Sequence, residues 1–389
     1  MPSLDLIQNA SQHNGPMISE PIIQGSLFGV LEKNTIVYTP IKDNNNYQTI
    51  FENLVNHFSI QNRRFLGNKN RLLNFIENIV NKKCENFKSF CDIFAGTGVV
   101  GAKFNNENIK VISNDILNSN FVAISAFIGS KNIDIEKLKN KINYLNCIKA
   151  ESDNYFSLNY GGTFFTIENA RKIGAIRSEI ENIAENQEEK NALITSLIYA
   201  TDKVANTVGH YDAFRKKLDS IKSIKLLIPT IEFKNNRNNE IYKEDANVLI
   251  RKIECDVLYI DPPYNSRQYC DAYHLLENLV NWEKPKVFGK AKKMDRSNLK
   301  SNYCLKSAPQ AFEDLIQNAK CKHILISYNN TGESKDGRSN ARISDAQMMD
   351  ILKRKGDVEI FERDYRAFST GKSNTDGNSE RIFYCKVKN

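Results

Sequence analysis

Several things are scarce in this sequence, and each shortage excludes something. There is one Trp, five His and nine Pro in 389 residues. No apolar run approaches the ~18 residues that a membrane-spanning helix needs, so no membrane partner is expected. The segment Met1 to Gly15 is polar, unlike a secretory leader. The eight Cys include no C-x-x-C pair, and the scattered His have no zinc spacing. Structural zinc and a compact disulfide framework are therefore disfavoured. The expectation is a metal-free, cytoplasmic protein with reduced thiols. No G-K-[ST] follows a Gly-rich turn, which excludes a P-loop ATPase.

What remains is ordinary in bulk: 41% hydrophobic and 26% charged, as in globular proteins generally. A formal net charge of +8 permits a nucleic-acid partner without requiring one. The length fits two or three domains, or one core with a large insertion.

Residues 1–60 read as an extension with two short strand candidates, Ser26–Gly29 and Thr35–Tyr38, and a polar turn at Asp43-Asn44-Asn45-Asn46. Patterning sharpens afterwards. Leu72, Leu73, Phe75, Ile76, Ile79 and Val80 share one face of a helix over Asn70–Val80. The run Phe87–Phe94 reads as a strand entering Ala95-Gly96-Thr97-Gly98, and Lys110–Ser113 as a second strand ending at Asn114-Asp115. This β-turn-α-β order begins a parallel α/β sheet. Residues 118–240 differ, with helical stretches (Ile133–Leu145, Ile167–Ile183, Asn191–Ala205) and an Asn-rich polar connection at Lys234–Glu240. Strand patterns return at Asp256–Ile260 and His323–Tyr328, with a helix at Tyr273–Trp282 between them. Val358–Phe361 and Arg381–Val387 suggest an antiparallel pair at the sheet edge. The division is 1–60 extension, 61–117 first part of the core, 118–240 insertion, and 241–389 second part of the core.

Three motifs carry chemistry. Asp92-Ile93-Phe94-Ala95-Gly96-Thr97-Gly98 is a strand running into a Gly-rich turn, where backbone and ligand can approach closely. Asp115, at the end of the next strand, is placed where nucleotide-binding α/β folds offer a carboxylate to ribose hydroxyls. Asp261-Pro262-Pro263-Tyr264 stops a buried strand stiffly, because two prolines cannot continue a ladder. It puts a carboxylate, fixed carbonyls and an aromatic ring at the ligand side of the sheet. Arg63-Arg64-Phe65-Leu66-Gly67-Asn68-Lys69 places a Gly and a Lys before a helix, which suits a carboxylate or phosphate.

In this order, F-x-G-x-K, D-x-F-x-G-x-G, N-D and D-P-P-Y, the motifs resemble those of the D12 (Dam-like, α-group) adenine-N6 DNA methyltransferases, with type II restriction-modification methylases especially similar. The resemblance covers about Arg63 to Tyr384. It implies a Rossmann-like class I methyltransferase sheet, mostly parallel with an antiparallel edge strand, interrupted by a mainly helical target-recognition insertion. It implies S-adenosyl-L-methionine as cofactor, held by Phe65, Gly67, Lys69, Asp92, Phe94, Gly96, Gly98, Asp115, Asp245, Ala246 and Asp261. Asp261, Pro262, Pro263 and Tyr264 would be catalytic. Tyr264, Asn265, Arg267, Gln268 and Tyr269, with His210, Tyr211 and Arg215 in the insertion, would approach double-stranded DNA. A cognate restriction endonuclease acting separately is a further implied partner.

The residue chemistry agrees with that role. An aromatic amine is a poor nucleophile because its lone pair is delocalised. Two acceptors, the Asp261 carboxylate and the Pro262 carbonyl, would localise that pair and strengthen as charge develops. Other readings stay open: a methyltransferase of an RNA base or another planar amine, or a non-catalytic DNA-binding relative. The long insertion favours DNA, and the intact Asp261, Pro262, Tyr264 and Lys69 disfavour a dead site.

Overall fold

Short runs of β-branched and aromatic residues, apolar on both faces, build the centre of this molecule, which is known from a computed structural model. The described residues are 28–32, 35–39, 56–219, 222–328, 342–364 and 379–388. Two units are distinguished, Met1–Val55 and Asn56–Asn389. In the first, β1 (Phe28–Glu32) and β2 (Thr35–Thr39) form an antiparallel hairpin. Ser26 and the expected turn at Asp43–Asn46 lie outside the described residues.

The second unit has β3 (His57–Phe58), β4 (Ser89–Asp92), β5 (Lys110–Asn114), β6 (Ile228–Pro229), β7 (Glu240–Tyr242), β8 (Val257–Ile260), β9 (His323–Ser327), β10 (Gly356–Asp364) and β11 (Ser379–Val387). Seven of them make one sheet in the order β10-β11-β9-β8-β4-β5-β7. The pairs β4/β5, β4/β8, β8/β9 and β5/β7 are parallel, and β11 is antiparallel to both its neighbours. This is the mostly parallel α/β methyltransferase sheet expected from the motifs. The antiparallel strand, however, is second from the edge. β10 lies outside it and, having reversed twice, runs with the other strands.

Alternate residues serve opposite faces. Phe90, Val111, Val257 and Tyr259 join one core, and Cys91, Ile112, Leu258 and Ile260 the other. Both faces are covered by other elements, so these strands read as unbroken apolar runs rather than alternating ones.

The helical stretches fall at Ile135–Cys147, Ile167–Ile183 and Gln187–Val204. Gln187–Val204 starts earlier than the apolar pattern, because Asn186 accepts from the Glu189 N–H and caps it. The expected helix at Tyr273–Trp282 is found as His274–Asn281, stopped by Trp282 at φ 56°, and a separate short helix, Tyr269–Ala272, precedes it. The Asn-rich connection is anchored rather than loose. Asn236 is fully buried and donates to the Phe127 and Ser130 carbonyls, while Asn239 donates to Ile128 O and accepts from Val111 N. Its end forms strand β7, three residues long and therefore without a readable alternation. Leu138, Ile173, Leu193, Leu197 and Ile228 from the block between β5 and β7 belong to the same core as sheet residues Phe90 and Val257.

Candidate active site

The site lies at the carboxyl ends of β4, β5 and β8. After Asp92 the chain turns through Gly96 (φ 54°) and Gly98 (φ 79°) into the helix Val99–Phe104. A Cβ on Gly96 would stand 3.2 Å from Phe65 Cε1, and one on Gly98 2.9 Å from Ile124 Cγ1. Glycine is required at both positions by conformation and by space. Gly98 thus supports the turn by packing, whereas Gly96 faces the cavity.

Asp115, just after β5, closes this turn. Its Oδ2 accepts from Gly96 N at 2.9 Å and its Oδ1 from Leu117 N at 2.8 Å. Burial pushes its carboxyl up to about 6. Neighbouring Asn114 bonds Ile93 O and both backbone groups of Glu244, which fixes the next loop beside it. Asp245 then caps the helix Ala246–Leu249, its Oδ1 accepting from Asn247 N and Val248 N.

The Phe65–Lys69 strap is held by stacked rings. Phe65 lies 4.3 Å from Tyr273 at an interplanar angle of 10° and 5.5 Å from Tyr269. Tyr273 Oη accepts from Leu66 N, and Tyr269 Oη donates to Leu66 O. The strap delivers Lys69 Nζ to within 2.8 Å of Asp261 Oδ2. Burial works against the Lys69 charge, but Asp261 outweighs it and holds the ammonium above the ordinary lysine range. Burial raises the Asp261 carboxyl, with Lys69 opposing. Asp92 is 1% exposed and neither side-chain oxygen has a hydrogen-bond partner. Burial and the charge of Asp261 push it up to about 8, despite a weak approach of the Gly101 N–H.

Two cavities meet at Asp261. The first is lined by Phe65, Gly67, Lys69, Asp92, Phe94, Gly96, Asp115, Asp245, Ala246, Asp261 and Pro263. The second is lined by Arg64, Phe65, Lys69, Val208, Gly209, Asp261, Tyr264, Ser327 and Glu380. Lys69, Asp261 and Phe65 thus face both. Pro262, expected to be catalytic, is buried and is in the lining of neither cavity.

The first cavity has the chemistry for a nucleoside-like ligand with net positive charge. Five acidic side chains, Asp92, Asp115, Glu244, Asp245 and Asp261, line it against two lysines, Lys69 and Lys300, and Asp92 offers two unpartnered buried oxygens. S-adenosyl-L-methionine, with a sulfonium, an ammonium, a carboxylate and two ribose hydroxyls, fits that donor and acceptor set.

The structure separates the residues expected to approach DNA. Arg267 and Arg215 are exposed, and Asn265 Oδ1 accepts from Arg267 N. His210 is half-buried, 3.9 Å from Asp212. Three placements differ from expectation. Tyr211 is 2% exposed, and its hydroxyl donates to Asp202 Oδ1 at 2.6 Å, so it props the chain from inside. Asp202 is also the partner of buried Arg63. Gln268 and Tyr269 line the first cavity, not the second. Gln268 exchanges both side-chain bonds with the Ser301 backbone and holds the 298–303 segment against that cavity. Side chains that the sequence did not single out include Asn120, Tyr303, Val208 and Glu380. Each lies on a different element from the motifs, and no local pattern marks it.

The family model for the D12 class N6 adenine-specific DNA methyltransferase matches residues 65–334. The modification methylase StsI of Streptococcus sanguinis is 36% identical over 351 residues, covering 84% of this chain and 52% of that protein. The type II methyltransferase M.FokI of Planomicrobium okeanokoites is 34% identical, covering 82% of this chain and 52% of that protein. The chain therefore spans about half the length of these two relatives. M.NlaIII of Neisseria lactamica, also a type II methyltransferase, is 32% identical, covering 79% of this chain and 93% of that protein. A family match running from the Phe65 strap through β9, over a sheet whose carboxyl ends gather every one of its motifs, shows that the chain belongs to the D12 class N6 adenine-specific DNA methyltransferases.

Proposed function

We propose that this protein transfers a methyl group from S-adenosyl-L-methionine to the N6 amine of an adenine turned out of duplex DNA, as the modification enzyme of a restriction-modification system. The observation that carries the reading is Asp261, on the wall common to two cavities. One cavity is acidic and suited to the cofactor, and the other carries the Tyr264 ring.

The cofactor supplies an electrophilic methyl group on a sulfonium. Phe65, Gly96, Asp115, Asp245 and Ala246 would hold it, with Asp92 available to its ammonium and Lys69 to its carboxylate. The protein's own residues act on the base. Tyr264 stacks on it, which is worth about 1–3 kcal/mol. Asp261 and the Pro262 carbonyl accept the two N6 hydrogens and favour a pyramidal nitrogen. These bonds strengthen as positive charge grows on nitrogen, so they act on the rate rather than on binding alone. Extrusion of the base is needed because the amine is inaccessible within the stack. The helical block between β5 and β7 serves as the target-recognition region, bringing Val208 and Gly209 to the rim of the base cavity. A separate endonuclease that cuts the same unmodified sequence is the functional partner implied by this role.

Incubation with tritiated cofactor and duplex DNA, followed by digestion to nucleosides, tests the proposal. Label in N6-methyladenine is the expected result. Label confined to RNA, or none with DNA binding retained, would overturn it.

A further inference from the structure

Residues 283–306 hold eight Lys and Arg against two acidic residues, Glu283 and Asp295. Three-quarters of the chain's net charge of +8 thus sits in 24 residues. This segment follows the helix His274–Asn281 and contains a hairpin turn. Phe288 N donates to Lys293 O and Lys293 N to Phe288 O, closing a loop with Gly289 (φ 69°) and Lys292 (φ 52°) in left-handed conformation. Lys284, Lys286, Lys290 and Lys292 are exposed, and Phe288 is 58% exposed with Lys286 Nζ 5.5 Å from its ring centre. Of the eight cations only Lys293 and Arg296 have ion-pair partners among the described residues.

Those two pairs place the hairpin. Lys293 Nζ lies 2.6 Å from Asp212 Oδ1, and Arg296 bonds Asp271. Tyr155 Oη donates to Pro285 O at 2.6 Å, anchoring the opposite end. Asp212 is four residues from Val208, which lines the second cavity. Asp212, the partner at the foot of the hairpin, is therefore at most about 14 Å of chain from Val208 in the wall of that cavity. The charge is thus clustered, largely without ion-pair partners among the described residues, and tied at both ends beside the segment that reaches the second cavity. An exposed aromatic ring amid free ammonium groups matches a phosphate backbone with a groove beside it.

We infer that the 284–293 hairpin is a DNA-gripping arm: its lysines bind phosphates of the duplex flanking the target base, and Phe288 packs into the adjoining groove. The inference rests on the function proposed above and adds a contact surface to it.

The test is fluorescence anisotropy of a labelled mixed-sequence duplex across a KCl series, with cofactor affinity measured on each variant to show that the site is intact. For the Lys290→Ala/Lys292→Ala double variant, the slope of log affinity against log salt should fall by about two. A control double variant, Lys131→Ala/Lys149→Ala, on exposed lysines of the helical block, should keep the wild-type slope. Phe288→Ala should lose about tenfold in affinity, the scale of burying one aromatic side chain, with the slope unchanged. A wild-type slope in the Lys290/Lys292 variant, or an equal fall in the control, overturns the arm. Hairpin-dependent preference for single-stranded RNA over the duplex also overturns it. A wild-type protein that methylates no DNA overturns the functional reading alone, because the salt slope is read without catalysis.

Discussion

Replacing Asp261 with Ala removes a charge from the wall between the two cavities, and its cost can be worked out from the site. At an effective dielectric of about 20, a unit positive charge ~3 Å from a carboxylate is worth about 5.5 kcal/mol. A transition state with half that charge on the amine nitrogen is thus stabilised by about 2.8 kcal/mol, or roughly 100-fold in rate. Losing the hydrogen-bond acceptor adds to this, as removal of one oriented transition-state partner elsewhere costs about 10²–10³ in kcat. The fold is expected to survive. Lys69 loses its partner at 2.8 Å, and a buried ion pair broken on one side typically costs about 3–5 kcal/mol. Part of this is returned, because Asp261 also raises the pKa of Asp92. Single-turnover transfer of tritiated methyl groups to duplex DNA measures the rate, and circular dichroism reports the fold. The loss should fall on kcat, while affinity for the DNA changes little. Asp261→Asn, which keeps one acceptor oxygen but no charge, should lie between wild type and Ala. Near-normal single-turnover rates in a folded Asp261→Ala protein would refute the role assigned to this carboxylate.

Lys69→Met should weaken cofactor binding in isothermal titration and, by removing the charge that opposes protonation of Asp261, shift the acid limb of the rate profile to higher pH. An unmoved limb would separate the two residues. Asp92, raised to about 8, is favoured protonated in the folded protein. It therefore contributes stability that is complete below the unfolded value near 4 and is lost as pH rises through about 8. Asp92→Asn should flatten the fall in Tm between these limits, seen by scanning fluorimetry, and an unchanged pH slope would contradict the burial argument. Tyr211→Phe leaves Asp202 with Arg63 but without its hydroxyl donor. About 1–3 kcal/mol of stability should be lost in urea unfolding. No loss would show that the hydroxyl is not needed inside.

The sequence by itself determined the chemistry-bearing turns. Gly96 and Gly98 are dictated by positive φ and by close contacts, tight at Gly96 and closed to a Cβ at Gly98, Asp261-Pro262-Pro263-Tyr264 by the stiffness of two prolines, and the central strands by apolar runs buried on both faces. These are local requirements, and local requirements leave a mark in the chain. Only the tertiary structure decided the rest. The insertion of β11 between β10 and β9, the burial of Tyr211 over Asp202, the move of Gln268 and Tyr269 to the first cavity, and the arrival of Val208 and Glu380 at the second depend on residues distant in sequence. The polar Lys234–Glu240 connection shows the difference most plainly in Asn236: it reads as one residue of an Asn-rich polar connection, and it is buried where its amide donates to the carbonyls of Phe127 and Ser130, more than a hundred residues earlier. A side chain's partner across the fold is set by packing and by satisfying buried polar groups, and neither leaves a periodicity to read.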